Sequence, residues 1–204
     1  LKESKNSVDS ILINSLFPHK LYEVCLKTNS KLIQISSDCV FSGEKGFYSE
    51  DDNPDPIDLY GKSKLLGEIS GTNAITIRTS IIGHSLLSNH GLIDWFLTQK
   101  YEVKGYKKAI FSGLTTSELS KVIINYIIPN KELNGLFNIS SEPISKYDLL
   151  DLVRTIYKKD IQIKGDYNFV IDRSLNSNKF KSIVNYNSPN WETMLKEMYE
   201  YYKK

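Results

Sequence analysis

Tyr60-Gly61-Lys62-Ser63-Lys64 sets a phenol and an ammonium four residues apart, which on a helix means one face and one turn. Upstream, the apolar run Lys31-Leu32-Ile33-Gln34-Ile35 ends in Ser36, Ser37 and Asp38. A serine at the C-terminal end of a strand in an open α/β sheet opens onto the ligand crevice. Together these residues offer a proton donor, a cation to acidify it and a hydroxyl to orient a carbonyl oxygen. That set suits carbonyl reduction with a nicotinamide cofactor, and it makes Ser37, Tyr60 and Lys64 the candidate catalytic residues. The spacing alone carries little weight, because the chain has 13 Tyr. A second pair of the same spacing, Tyr199 and Lys203, reads as a solvated helix end. Context separates the two: Pro54 and Pro56 precede Tyr60, Asp58 is placed to cap a helix, and Leu65, Leu66 and Ile69 follow at helical spacing.

The elements that must position this set alternate along the chain. The patterning predicts a helix over 8–27, a strand over 31–37, a loop over 42–57 and the Tyr60 helix over 58–70. A strand follows over 74–80, a helix over 91–99, a short strand over 109–112, a helix over 117–128 and a strand over 136–139. Ser145 caps an amphipathic helix to Tyr157. A short strand over 161–163 and a terminal helix over 191–202 complete the set. Lys104 to Lys108 reads as a solvated loop, and Tyr147, Asp148 and Asp151 as an exposed helix face. Alternation of this kind predicts an α/β fold with a parallel sheet.

Composition narrows the function classes. The 26 basic and 24 acidic residues leave a net charge of +2, which argues against a dedicated nucleic-acid or membrane surface. The two cysteines, Cys25 and Cys39, offer neither a disulfide framework nor a zinc spacing, and no metal site is expected. Cys25 is expected in the core. No apolar run approaches a membrane span, and a reducing cytoplasm is the expected location.

The block Ile33-Gln34-Ile35-Ser36-Ser37-Asp38-Cys39-Val40-Phe41-Ser42-Gly43, then Tyr48-Ser49-Glu50-Asp51-Asp52, Pro56, Leu59-Tyr60-Gly61 and Ser63-Lys64-Leu65-Leu66-Gly67-Glu68 resembles the active-site half of the extended short-chain dehydrogenase/reductases. It is most similar to their dTDP-4-dehydrorhamnose reductase branch, which acts on nucleotide sugars. The similarity continues through Arg78-Thr79-Ser80-Ile81-Ile82-Gly83, Gly135-Leu136-Phe137-Asn138-Ile139-Ser140, Asp172-Arg173-Ser174-Leu175-Asn176-Ser177 and the Trp191 helix. The resemblance implies a Rossmann-like parallel sheet with helices on both faces and a smaller C-terminal substrate-binding lobe. Residues 1–82 with parts of 101–140 would form the catalytic part of the sheet domain, and 83–100 with 141–204 mainly the lobe. The implied reaction is NADPH- or NADH-dependent reduction of the 4-keto group of a nucleotide-activated deoxysugar for surface polysaccharide. Lys64 and the positive nicotinamide ring would favour the Tyr60 phenolate and lower its pKa from about 10. Tyr60 and Lys64 would also contact the cofactor. The nucleotide sugar is the implied partner, and a homodimer is compatible with it.

Such reductases open with a Gly-rich turn that meets the cofactor pyrophosphate. Here the first glycine is Gly43. The first two or three β-α units are therefore expected to be absent, on the order of 60–90 residues at ~30 per unit, and the chain as it stands is expected to be inactive.

Three positions bear on the substrate. Cys39 stands where the resembling reductases usually carry Tyr. GDP-fucose synthases place a Cys there and use it with a His to epimerise carbons beside the ketone, and His90, ahead of His84, is the candidate partner here. The plainer expectation is a small buried filler at Cys39 and a surface loop residue at His90. Ile81 replaces a sugar-stacking Trp. Arg173 reads either as a diphosphate clamp or as a salt-bridge partner of Asp172. Cys39, His90 and Arg173 are thus the candidate substrate-binding residues. A non-catalytic nucleotide-sugar-binding subunit on the same fold remains the reading from a different class.

Overall fold

The computed structural model describes residues 6–85 and 91–203. The first helical segment is capped by Asn6, whose side chain accepts from the Val8 and Asp9 amides. α1 (Ser7–Ile11) runs through a π turn at Leu12–Leu16 into α2 (Phe17–Lys27). The wide turn lies just before Pro18, which has no N–H for a regular helix interior. β1 (Leu32–Ile35) follows, then α3 (Leu59–Leu66), β2 (Ala74–Arg78), β3 (Ile81–Ile82), α4 (Leu92–Thr98), β4 (Glu102–Phe111) and β5 (Leu114–Thr115). α5 (Thr116–Val122), β6 (Gly135–Asn138), β7 (Ile144–Ser145), α6 (Lys146–Ile156), β8 (Gln162–Asp172), α7 (Asn178–Val184) and α8 (Trp191–Tyr202) complete the described elements.

β1, β2 and β6 form a parallel sheet with β2 in the middle. Every residue of β2 is buried, as expected of a parallel strand covered on both faces. This is the α/β architecture with a parallel sheet that the alternation predicted and the Rossmann-like sheet that the resemblance implied. A second sheet has the order β7-β4-β8, with β4 antiparallel to β7 and parallel to β8. One apolar core runs between them, with Ile75, Ile77, Phe111, Phe137, Leu149 and Phe180 among its members. A smaller cluster of Val40, Phe41, Tyr48 and Leu175 pins the loop after β1, with the Phe41 and Tyr48 rings stacked at 4.1 Å.

The structure departs from the sequence reading in the short strands β3, β5 and β7, which were not expected, and in three larger features. Lys104 to Lys108 is not a loop but the middle of β4, where Val103, Gly105 and Ala109 are buried and Lys104, Tyr106 and Lys108 are exposed. β8 extends to Asp172, far beyond 163. α7 was not anticipated. Gly165 and Asp166 pair with Gly105 and Tyr106 in the ladder to β4, and the ladder resumes at Lys108 and Val170 after a register shift. Tertiary pairing thus overrides local propensity.

Candidate functional site

Two elements bring the predicted set together. Asp58 caps α3, its carboxylate accepting from the Gly61 amide at 2.7 Å. Gly61 matters for a second reason. A Cβ there would lie 2.1 Å from the Cys39 carbonyl oxygen, so only glycine lets α3 settle onto the end of the strand and present Tyr60 and Lys64 to it. The Lys64 Nζ donates to the Ile35 carbonyl at 2.6 Å. Below it, Arg78 grips Glu68 with two hydrogen bonds of 2.8 Å, and Ser36 Oγ donates to the same carboxylate at 2.7 Å. The helix carrying Tyr60 and the segment that leads from β1 to Ser37 are therefore locked through neighbouring residues.

At the strand end, the Ser37 hydroxyl donates to Asp38 Oδ1 at 3.0 Å and accepts from the Cys39 amide at 3.1 Å. Ser37 and Asp38 are buried. Burial pushes the Asp38 carboxyl up, with Ser37, Lys146 and Arg173 pulling the other way. Burial, then the Asp38 charge, pushes the Cys39 thiol up to about 11. Tyr60 moves upward, not downward as expected: burial dominates, Cys39 adds to it, and the Ser37 hydroxyl opposes. Lys64 is lowered by burial, against Glu68. The reason for the difference is visible in the geometry, since the Lys64 ammonium is turned onto the Ile35 carbonyl. A phenol held protonated beside a hydroxyl is an arrangement able to donate a proton to a carbonyl oxygen.

The same strand end opens into a cavity of about 380 Å³ lined by Asp38, Cys39, Trp95, Phe111, Lys146 and Arg173, among others. Arg173 does not pair with Asp172, whose carboxylate is taken by the Ser174 amide and hydroxyl at 2.9 and 2.7 Å. Instead its Nη1 donates to the Cys39 sulfur at 3.2 Å, and its buried Nε has no hydrogen-bond partner. Cys39 and Arg173 are thus brought together. His90 lies outside the described residues. His84 is occupied elsewhere, bonded to Asp94 at 2.8 Å and to the Tyr157 hydroxyl at 2.7 Å and stacked on Tyr202 at 3.8 Å.

Lys146 is the pocket residue that the sequence reading missed. The available signal was a cation in the first turn of a helix, directly after the Ser145 cap, where the helix dipole disfavours it. Ile81 is exposed. Among the described residues no group of His, Cys, Asp and Glu is arranged to hold a metal, and no helix is long and apolar enough to cross a membrane.

The residues present fit one end of a nicotinamide cofactor. Lys64 is a half-buried ammonium with three donors, one of them bonded to the Ile35 carbonyl among the described residues, which leaves donors for ribose hydroxyls. No glycine precedes Gly43 to cradle a pyrophosphate.

Comparison with known proteins agrees with this geometry. The chain aligns at 40% identity over 75 residues with the probable low-salt glycan biosynthesis reductase Agl14 of Haloferax volcanii, covering 34% of this chain and 25% of that protein. It aligns at 44% identity over 57 residues with methionine adenosyltransferase 2 subunit beta of Xenopus laevis, covering 28% and 17%. Each match therefore spans a quarter or less of the curated relative's own length. The fold superposes on the dTDP-4-dehydrorhamnose reductase of Bacillus anthracis, solved in complex with NADP, with a TM-score of 0.84 at 20% identity, covering 97% of this chain and 75% of that one. Residues 2–102 match the family model described as the RmlD substrate binding domain, and with the fold and the Ser37, Tyr60 and Lys64 constellation this places the chain in the RmlD-like branch of the extended short-chain dehydrogenase/reductases.

Proposed function

We propose that this chain carries the catalytic and sugar-binding part of an NADPH- or NADH-dependent reductase acting on the 4-keto group of a nucleotide-activated deoxysugar, in surface-polysaccharide synthesis. The observation that carries the reading is the Tyr60 phenol beside the Ser37 hydroxyl, with the Lys64 ammonium held on the Ile35 carbonyl of the same strand end. The cofactor, when bound, supplies the hydride. Tyr60 hands its proton to the keto oxygen, and burial keeps that proton on the phenol until it is needed. Ser37 orients the same oxygen. Lys64 holds the cofactor ribose, and Arg173 meets the substrate's diphosphate. The division into a sheet domain (1–82 with parts of 101–140) and a lobe (83–100 and 141–204), a cytoplasmic location and a homodimer belong to the same reading.

The test is Tyr60→Phe in the protein carrying this chain, assayed against nucleotide 4-keto sugars with both cofactors. Turnover should fall about 10²–10⁴-fold, with nucleotide-sugar affinity retained, because the proton is given only in the transition state. Near wild-type turnover would overturn the assignment.

A second reading is favoured by the segment shared with a protein named as a subunit of another enzyme. In that reading the chain is a non-catalytic nucleotide-sugar-binding subunit, and it binds the same ligands with no turnover under any cofactor. The epimerase/reductase reading is weakened by a Cys39 thiol at about 11, a poor base at neutral pH.

A further inference from the structure

α4 is too short to hold its own place. A helix of 7 residues is marginal in isolation, and Gly91 at its N-cap makes no side-chain hydrogen bond. Ile93 and Phe96 are fully buried and fix its depth in the core. Its turn about its own axis is set by polar contacts. The Asp94 carboxylate accepts from His84 Nδ1 at 2.8 Å and from the Ser85 amide at 2.7 Å. His84 Nε2 meets the Tyr157 hydroxyl at 2.7 Å, and the imidazole stacks on Tyr202 at 3.8 Å. Tyr157 is the C-cap of α6, and just beyond it Lys159 Nζ donates to the Leu97 carbonyl at 2.7 Å. Both ends of α4 are therefore tied to the same end of α6. The His84 and Asp94 side chains are only 14% and 12% exposed, so water competes little for their hydrogen bonds. Burial pushes the Tyr157 phenol up, with Tyr202 and Asp94 adding to it, which keeps it a donor for Nε2.

We propose that His84, Asp94 and Tyr157 form a clasp that positions Leu92 and Trp95 as one wall of the cavity beyond the end of β1. Leu92 and Trp95 line that cavity with Asp38 and Cys39. The clasp residues do not line it, so they act through the helix and are positioning residues. Trp95 is 39% exposed, and core packing alone does not hold it. Successive side chains on a helix stand about 100° apart, so a turn of α4 that releases Asp94 swings the next residue, Trp95, by the same angle. The effect of the clasp on substrate rests on the nucleotide-sugar reading above, whereas its hold on Trp95 does not.

The experiment labels the protein carrying this chain with fluorotryptophan and reads Trp95 and Trp191 by fluorine NMR, with Trp95→Phe assigning the signals. His84→Phe keeps the stack on Tyr202 and removes both hydrogen bonds. It should shift or broaden the Trp95 signal and leave that of Trp191 in place. It should also raise KM for the nucleotide sugar about fivefold, with kcat within about twofold of wild type. His84→Asn, whose amide keeps a donor for Asp94, should restore most of both. Should His84→Phe fail to fold, Tyr157→Phe removes a single hydroxyl and is expected to act in the same direction. An unmoved Trp95 signal, a moved one with unchanged KM, or both signals moved with a fall in kcat would overturn the positioning role and leave the nucleotide-sugar reading intact. Wild-type protein with no turnover of any nucleotide 4-keto sugar would overturn that reading, and the fluorine spectra would still decide whether the clasp holds Trp95.

Discussion

Arg78 and Arg173 are both largely withdrawn from water, and they are treated in opposite ways. Arg78, 3% exposed, gives two parallel hydrogen bonds to Glu68 and stacks on Phe41 at 5.0 Å. Its charge is neutralised inside the fold, and the pair ties the Tyr60 helix to the Ser36–Ser37 strand end. Among the described residues no carboxylate is bonded to the Arg173 side chain: a thiol lies on one nitrogen and nothing on its Nε, whereas Arg78 leaves only its Nη1 without a partner. The first arrangement spends its charge on holding the site's geometry. The second keeps its charge on the pocket that Asp38, Cys39 and Lys146 also line. A closed ion pair and a guanidinium on the pocket separate, in one small domain, the residues that position from those that bind.

That contrast can be broken experimentally. The largest effect is expected at Glu68. Glu68→Gln strands a buried guanidinium and should cost about 3–5 kcal/mol of stability, read as a lower urea midpoint at unchanged slope. A loss no greater than that of a surface substitution would refute the idea that this pair holds the site. Arg173→Met should do the reverse: stability within about 1 kcal/mol of wild type, but nucleoside diphosphate affinity down about tenfold. A large stability loss there would show that Arg173 is a structural residue and erase the contrast.

The smallest effect concerns Asp38, which lines the same pocket as Arg173. Its folded pKa is raised above the ordinary 3.8. The fold therefore holds that proton more tightly than the unfolded chain does. The stability this contributes is fully present below 3.8 and is lost as pH rises through the folded value. Asn cannot lose a proton. The melting temperature of Asp38→Asn relative to wild type should thus rise steadily with pH above 3.8 and then level off. A difference independent of pH would mean that folding leaves the Asp38 pKa at its unfolded value, against this reading.

Much of the site was legible because its signals are local. The Asp58 cap and the Tyr60/Lys64 spacing each depend on a few consecutive residues and are found where the pattern predicted, while the strand stops at Ile35 and leaves Ser37 two residues beyond it. The Ser145 cap of α6 was equally readable. The misses share a different cause. Gly165 and Asp166 favour a turn, and only the ladder to β4 makes them strand. Lys104 to Lys108 alternates faces only once a second strand lies beside it. Arg173 offered two partners in sequence, Asp172 and an unseen phosphate, and the fold chose neither, turning it toward Cys39.

The sequence by itself determined the α/β alternation, the parallel sheet and the helix that carries Tyr60 and Lys64, because hydrophobic period and capping are properties of neighbouring residues. Only the tertiary structure decided the direction of the Tyr60 pKa, since burial and the turn of Lys64 onto Ile35 arise from packing. It also decided that Lys146 and Arg173, 27 residues apart by number, share one pocket with Asp38. Electrostatics depends on distance in space and on exclusion of water, and neither is written in the order of the residues.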